Sequence, residues 1–219
     1  IEAGHRFKSN CDSEIVVHGY EEWGTGLFAR LEGMFAVGIW DAPRRRMILG
    51  RDRIGEKPLY VLRKAGLVAF ASSLNALREV VDGDLEVEMS AVECFLSHIF
   101  IPHPHTVWKG VESLPPAHFA VIEGSSDLSI ERYWDFPAKF PQSMSLGDAE
   151  ASIEESLDRS VKARLLADVP VGGFLSGGVD SSLVMAMASR HSPRIDTFSV
   201  GFEEEEFSEL TYARRVAEH

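Results

Sequence analysis

The apolar positions change their period along the chain. Ile15, Val16, Gly19, Tyr20 and Trp23 recur at helical spacing, which predicts a helix over 11–23. Ser9, Asn10, Asp12 and Ser13 are cap candidates at its start, and Gly24 is a stop. A second short helix is predicted over 27–31. From Gly33 the apolar residues come in short compact runs bounded by turn residues. Residues 34–40 and 47–49 flank the turn Asp41-Ala42-Pro43-Arg44, and 59–62 and 67–71 form a second hairpin around 63–66. A helix over 91–100 breaks at Ile101-Pro102-His103-Pro104, and 118–122 is a further strand. The first part therefore reads as antiparallel sheet with flanking helices.

Residues 132–142, with Pro137 and Pro141, read as a linker. Beyond it the pattern switches. Ser145 and Asp148 make a variant capping box, and Ile153, Leu157, Val161 and Leu165 form an apolar stripe. A strand over 169–175, a glycine loop, a helix over 179–190 and a strand over 195–200 follow. That order is the start of a parallel α/β sheet, in which ligands sit at the carboxyl ends of strands.

Composition narrows the classes. A net charge of -12 argues against a general nucleic-acid binder. No apolar run reaches the roughly 20 residues of a membrane span. Two cysteines, Cys11 and Cys94, make no disulfide framework, so a reducing cytoplasm is the default compartment. The chain starts at Ile1, and 212–219 read as a helix without a stop signal, so a piece of a longer protein is expected.

The chemistry concentrates in Phe174-Leu175-Ser176-Gly177-Gly178-Val179-Asp180-Ser181-Ser182-Leu183. Gly177 and Gly178 let main chain approach a ligand, and the helix that follows presents unpaired N–H groups and a positive dipole end to an anion. Asp180 is suited to a hard cation such as Mg²⁺ rather than to a bare phosphate. No lysine follows the glycines, so this is not the common P-loop. Taken alone, the pair of glycines reads better as a turn before a capped helix; the strand before it and the Asp-Ser after it shift the reading to an anion loop.

The string Ser-Gly-Gly-x-Asp-Ser resembles the pyrophosphate loop of the ATP pyrophosphatases, which cleave ATP between the α- and β-phosphates. The segments 33–41 (GMFAVGIWD), 50–60 (GRDRIGEKPLY), 111–116 with His118, 168–172 (DVPVG) and 198–202 (FSVGF) resemble, in the same order, those of glutamine-hydrolysing asparagine synthetases. Ala117 stands where that family has glycine. The resemblance implies a fold of class α+β followed by α/β. Residues 1–140 would be the C-terminal part of a class II glutamine amidotransferase domain, of the partial Ntn-type α-β-β-α form. Residues 145–219 would open an adenine-nucleotide α-hydrolase-like parallel α/β domain.

It also implies an activity: ATP- and Mg²⁺-dependent amidation of aspartate through β-aspartyl-AMP, with ammonia from glutamine, in a cytoplasmic protein that is a homodimer at full length. Glutamine and aspartate are the small-molecule partners, with no nucleic acid and no membrane. Ser9 to Ile15 is similar to the family's glutamine-binding segment, which makes Asp12 the partner of the substrate ammonium. The other reading of Asp12 is a plain helix cap. Leu175, Ser176, Gly177, Gly178, Asp180, Ser181 and Val200 match ATP-site positions, with Asp180 as the metal ligand. Cys11 is not the family's nucleophile, which is an N-terminal cysteine expected outside this chain, and the piece alone is expected to be inactive. Carboxylate-adenylating relatives such as β-lactam synthetases and peptide cyclases share the scaffold and stay open as alternatives, as does a non-catalytic amidotransferase-like piece.

Three further groups are weighed as structural. His98, His103 and His105 lack metal-ligand spacing. Arg44, Arg45 and Arg46 read as a solvated hairpin tip. Arg51, Asp52 and Arg53 read as an ion-pair group.

Overall fold

The computed structural model describes residues 4–64, 66–81, 85–124, 127–137, 143–204, 206 and 208–219. Pro141 of the expected linker, and Ala65 of the second hairpin turn, lie outside them. The chain divides into two compact units, Ile1–Ala138 and Lys139–His219.

In the first unit, α1 (Ser13–Trp23) runs into a 3₁₀ turn (Gly24–Leu27). The short helix expected over 27–31 is therefore a tighter turn that begins earlier, because Gly24, with φ 56°, ends α1 and redirects the chain. Strands β1 (Ala36–Asp41), β2 (Arg46–Arg51), β6 (His118–Glu123) and β7 (Asp127–Arg132) form an antiparallel sheet in the order β1-β2-β6-β7. A second antiparallel sheet has the order β4-β3-β5, from β3 (Tyr60–Lys64), β4 (Leu67–Ala71) and β5 (Val111–Ser113). Helices α2 (Leu74–Val80) and α3 (Met89–His98) precede β5.

Alternation along the strands stacks these pieces into layers. Leu49, Val61, Ala120 and Ile122 meet in one apolar cluster between the two sheets. On the other side of β2 and β6, Ile48 and Phe119 pack with Phe28, and Tyr20 of α1 joins them. On the other side of β3, Leu62 packs with Leu77 of α2 and with Val111. The order is helix, sheet, sheet, helix. Gly50 lies directly under the Phe28 ring, so a side chain there would displace the ring. Tyr20 fastens α1 to the first sheet: its hydroxyl donates to Asp41 Oδ2 at 2.7 Å and accepts from Arg46 Nη2 at 2.9 Å. Arg46 is thus a half-buried anchor rather than part of a solvated tip.

The second unit opens with α4 (Leu146–Arg164). Ser145 caps it, accepting the Asp148 N–H at 3.1 Å and donating to its carboxylate at 2.6 Å. Of the expected stripe, Val161 is buried and packs with Leu157 and Leu165 against Met187 and Ala188, whereas Ile153 is exposed. Strand β8 (Gly172–Phe174) is shorter than expected, since Pro170 removes a ladder donor. It pairs in parallel with β9 (Asp196–Phe198). Helix α5 (Val179–His191) connects them, and α6 (Leu210–Glu218) follows. Among the described residues no helix is long and apolar enough to cross a membrane.

Candidate functional site

The chemistry-bearing residues fall into one group in each unit. In the first, Asp12 stands at the start of α1 with helical φ and ψ (-59°, -29°), and its side chain caps nothing. A capping residue needs extended backbone to turn its oxygen onto the next turn's N–H groups. The plain-cap reading of Asp12 therefore fails. The carboxylate is exposed and, among the described residues, accepts from its neighbours Ser13 Oγ at 3.4 Å and Cys11 Sγ at 3.7 Å. It lines a cleft of about 200 Å³ with Val16, Leu31, Met34, Phe35 and Val37. An acidic rim on an apolar cleft suits a ligand with a cationic head and a short carbon stem.

Glu14 holds the segment that leads into Asp12. Its carboxylate accepts from the Ser9 hydroxyl at 2.5 Å, the Lys8 N–H at 2.7 Å and the Ser9 N–H at 2.8 Å. These bonds, the Ser9 hydroxyl first, hold its pKa at about 2. Asp12 is therefore carried on a stretch anchored two residues away, at Glu14. The sequence showed Glu14 only as part of a resemblance. Its anchoring role was not legible, because the partners lie five and six residues upstream in irregular chain.

A different arrangement surrounds Arg51 and Asp52, which are buried at 4% and 1% exposure. They do not pair with each other as an ion-pair group would. Arg51 donates to the carbonyls of Lys57, Leu114 and Gly55 and to Ser113 Oγ. Asp52 accepts main-chain N–H groups of Phe35, Ile54, Gly55, Glu56 and Lys57. Burial pushes its pKa up, and the N–H donors more than offset that and hold it below the usual range. Arg53 lies apart, donating to the Ala29 carbonyl at 3.1 Å with its guanidinium over the Trp134 ring. His103 is in the same layer, with Nδ1 3.2 Å from Ser113 Oγ, and burial lowers its pKa. Every one of these bonds serves the fold.

In the second unit, the loop between β8 and α5 brings the predicted glycines and hydroxyls together. Leu175 is buried and donates its N–H to the Phe198 carbonyl at 2.9 Å, while Ser199 Oγ donates to the Leu175 carbonyl at 2.6 Å. Ser176 Oγ and Ser181 Oγ are 2.9 Å apart, the Ser176 N–H donates to Ser181 Oγ at 3.3 Å, and Ser181 Oγ donates to the Gly178 carbonyl at 3.2 Å. The two serines thus staple the loop to the first turn of α5.

The glycines play different parts. Gly177 has φ 85°, and a Cβ there would come within 2.5 Å of the Tyr212 main chain. Gly178 has φ -70° and a nearest atom 3.4 Å away, Ser176 Oγ. Gly177 is required by the protein itself. Nothing inside the protein requires Gly178, whose bareness leaves main chain open at the helix start. There, no side chain caps α5, and its first N–H groups have no intrahelical partner. Ser182 Oγ is buried without a hydrogen-bond partner. An orphaned hydroxyl, bare N–H groups and a glycine without an internal reason fit an anionic ligand such as a phosphate chain. Asp180 is exposed in the first turn, and Val200 is exposed beyond β9.

The first unit is thus a helix–sheet–sheet–helix stack with an exposed carboxylate on an apolar cleft, and the second carries a glycine loop at an uncapped helix start. The family model described as glutamine amidotransferase domain matches residues 1–134, and the one described as asparagine synthase matches residues 152–219. The chain belongs to the glutamine amidotransferase domain family.

Among curated relatives, asparagine synthetase (glutamine-hydrolyzing) 1 of Bacillus subtilis is 33% identical over 98% of this chain and 34% of its own length. A provisionally named glutamine-hydrolyzing asparagine synthetase of Mycobacterium tuberculosis is 38% identical over the same shares. Amidase chry2 of Gibberella zeae is 32% identical over 84% of this chain and 27% of its own. The chain spans about a third of the length of the first two relatives.

Proposed function

We propose that the protein is a glutamine-dependent asparagine synthetase: it makes asparagine from aspartate with ATP, Mg²⁺ and ammonia drawn from glutamine. Residues 1–140 would be its glutamine-handling part and 145–219 the opening of its ATP-using part. The observation that carries the reading is the open loop at Ser176–Ser182, with a bare glycine and an unpartnered hydroxyl, in a chain that also presents Asp12 uncapped. ATP, when bound, would supply the adenylyl group that activates a carboxylate, with pyrophosphate as the leaving group of that step and AMP released when ammonia takes its place.

The chain's own residues do the holding. Asp12 receives the α-ammonium of glutamine, since an exposed carboxylate beside an apolar cleft is its natural partner. Ser176, Gly177, Gly178 and Ser181 hold the pyrophosphate against the start of α5, where the dipole favours the charge that builds on the leaving group. Asp180 in the same turn is the side chain for Mg²⁺, whose oxygen preference it meets. Leu175 and Val200 flank the nucleotide. A cytoplasmic homodimer is the expected working form. The similarity to a fungal amidase favours testing the acceptor acid rather than assuming it.

The full-length protein, given aspartate, glutamine, ATP and Mg²⁺, should form asparagine with equal AMP and pyrophosphate. ADP and free phosphate as products would sink the reading. Asp12→Asn should raise KM for glutamine about tenfold or more and leave synthesis from added ammonia intact. Equal loss with both nitrogen sources would remove Asp12 from the glutamine site.

A further inference from the structure

On either side of Asp12 along the chain lies a group of side chains that the reading above does not use. His5, in irregular chain, faces His18 and Glu21 on α1, with one ligand atom from each residue lying within 4.8 Å of the others. Glu21 Oε2 is 3.1 Å from His18 Nδ1 and 3.5 Å from His5 Nδ1. Donors bound at ~2.0–2.1 Å to a tetrahedral ion lie ~3.3 Å apart, so these separations are those of a coordination polyhedron's edge.

The far nitrogens repeat a second pattern. His18 Nε2 is 3.4 Å from Glu14 Oε1, and His5 Nε2 is 3.5 Å from Glu22 Oε2. An imidazole that ligates a metal through one nitrogen characteristically gives its other N–H to a carboxylate, which fixes its tautomer and orientation. His18 is set that way, and Glu22 stands beside His5 for the same part. His5 Nε2 is buried and makes no hydrogen bond, so the ring is held without a polar contact of good geometry on that side. The rings are tilted against each other with centroids 4.8 Å apart, and Phe7 packs edge-on to His18 at 4.9 Å. His18 and Glu21 stand three residues apart, one helical turn, so α1 presents both to the same side.

We propose that His5, His18 and Glu21 bind one divalent transition-metal ion of the zinc type. Nδ1 of each histidine and one oxygen of Glu21 are the protein ligands, and water takes the fourth position. Two imidazoles and a carboxylate suit zinc better than Mg²⁺ or Ca²⁺, which take oxygen sets. The ion would tie residue 5 to the middle of α1 and so close the segment 5–14 into a loop pinned at both ends, by the metal and by Glu14. The proposal does not depend on the asparagine synthetase reading.

The test uses the full chain, stripped with chelator and titrated with Co²⁺ and then Zn²⁺. One equivalent of Co²⁺ should give the intense visible bands of a tetrahedral site, and Zn²⁺ should displace it. Zn²⁺ at a hundredfold excess over its Kd should raise the unfolding midpoint by about 5 °C. His18→Gln and Glu21→Gln should each abolish the bands and the shift, and His98→Gln should leave both unchanged. Weak octahedral binding, or binding that survives both substitutions, overturns the site. Nitrogen-15 imidazole spectra of the unsubstituted chain decide the matter even if the variants fold poorly. Of the eight histidines, two should change at Nδ1 on adding one equivalent of Zn²⁺, and no change at any ring overturns the proposal.

Discussion

Two loops in this chain follow a strand and carry glycine and aspartate, and they are built to opposite ends. In residues 50–57, Asp52 is buried and surrounded by main-chain donors, and Arg51 beside it is equally consumed by carbonyls. In residues 175–182 the serines bond one another, Asp180 is exposed, and Ser182 Oγ has no partner. The first loop has satisfied its polar groups from within, so its charge serves architecture. The second has braced its backbone through two serines and left Asp180 in solvent, so its charge is free for the ligand proposed above. The contrast separates an aspartate satisfied by the fold from one left exposed, where the residue type and the glycine count do not.

The contrast can be broken most forcefully at Asp52. Asp52→Ala removes the buried acceptor of five part-buried main-chain N–H groups and should cost about 3 kcal/mol or more, measured by urea unfolding. A loss below about 1 kcal/mol would mean the first loop is not held by its carboxylate. Next come the paired glycines. Gly177→Ala, at φ 85° and against the Tyr212 main chain, should destabilise the second unit by about 2 kcal/mol. Gly178→Ala should leave stability within about 0.5 kcal/mol and weaken pyrophosphate binding about tenfold, read by calorimetry. If the two substitutions behave alike, the division of labour between the glycines is wrong.

A pH profile sharpens the same point at Asp41, a second inward-facing aspartate. The Tyr20 hydroxyl foremost, then the Arg44 N–H and guanidinium, outweigh burial and hold its pKa at about 2. The unfolded value is about 3.9, so the folded state binds its proton less readily. The stability Asp41 contributes is present above that value and is lost as pH falls through about 2. Thermal midpoints between pH 5 and 2 should fall less steeply in Asp41→Asn than in the unsubstituted chain. The smallest stability effect belongs to Asp180→Asn, which should change the unfolding free energy by no more than about 0.5 kcal/mol. Mg²⁺-dependent nucleotide binding should nonetheless be lost. A large change in folding would place Asp180 with Asp52.

Much of the layered unit was legible from period alone. The hairpins β1–β2 and β3–β4 and strand β6 carry compact apolar runs between turn residues, and α1 carries a helical stripe. Helix α2 and strands β5 and β7 were not legible. Strand β7 is largely exposed and α2 spans seven residues with Leu77 alone buried, so neither offers a periodic signal. Strands β8 and β9 were overextended, because apolar residues such as Val169 and Val200 continue beyond the ladder and stay exposed. At the sites, the capping pair Ser145–Asp148 and the loop glycines could be read from spacing. The uncapped state of Asp12 could not, since it depends on one pair of backbone angles. His5 and His18 are thirteen positions apart, too far for local spacing to join them.

Strand β2 takes part in two cores at once. Ile48 points to the helix side and Leu49 to the facing sheet. A single inserted or deleted residue in β2 would exchange them and spoil both clusters together. The turn at 42–45, where Arg45 already takes φ 50°, has no such double duty. Length variation among descendants of this chain is therefore confined by geometry to such turns, and β2 is the segment by which distant members can be aligned without gaps.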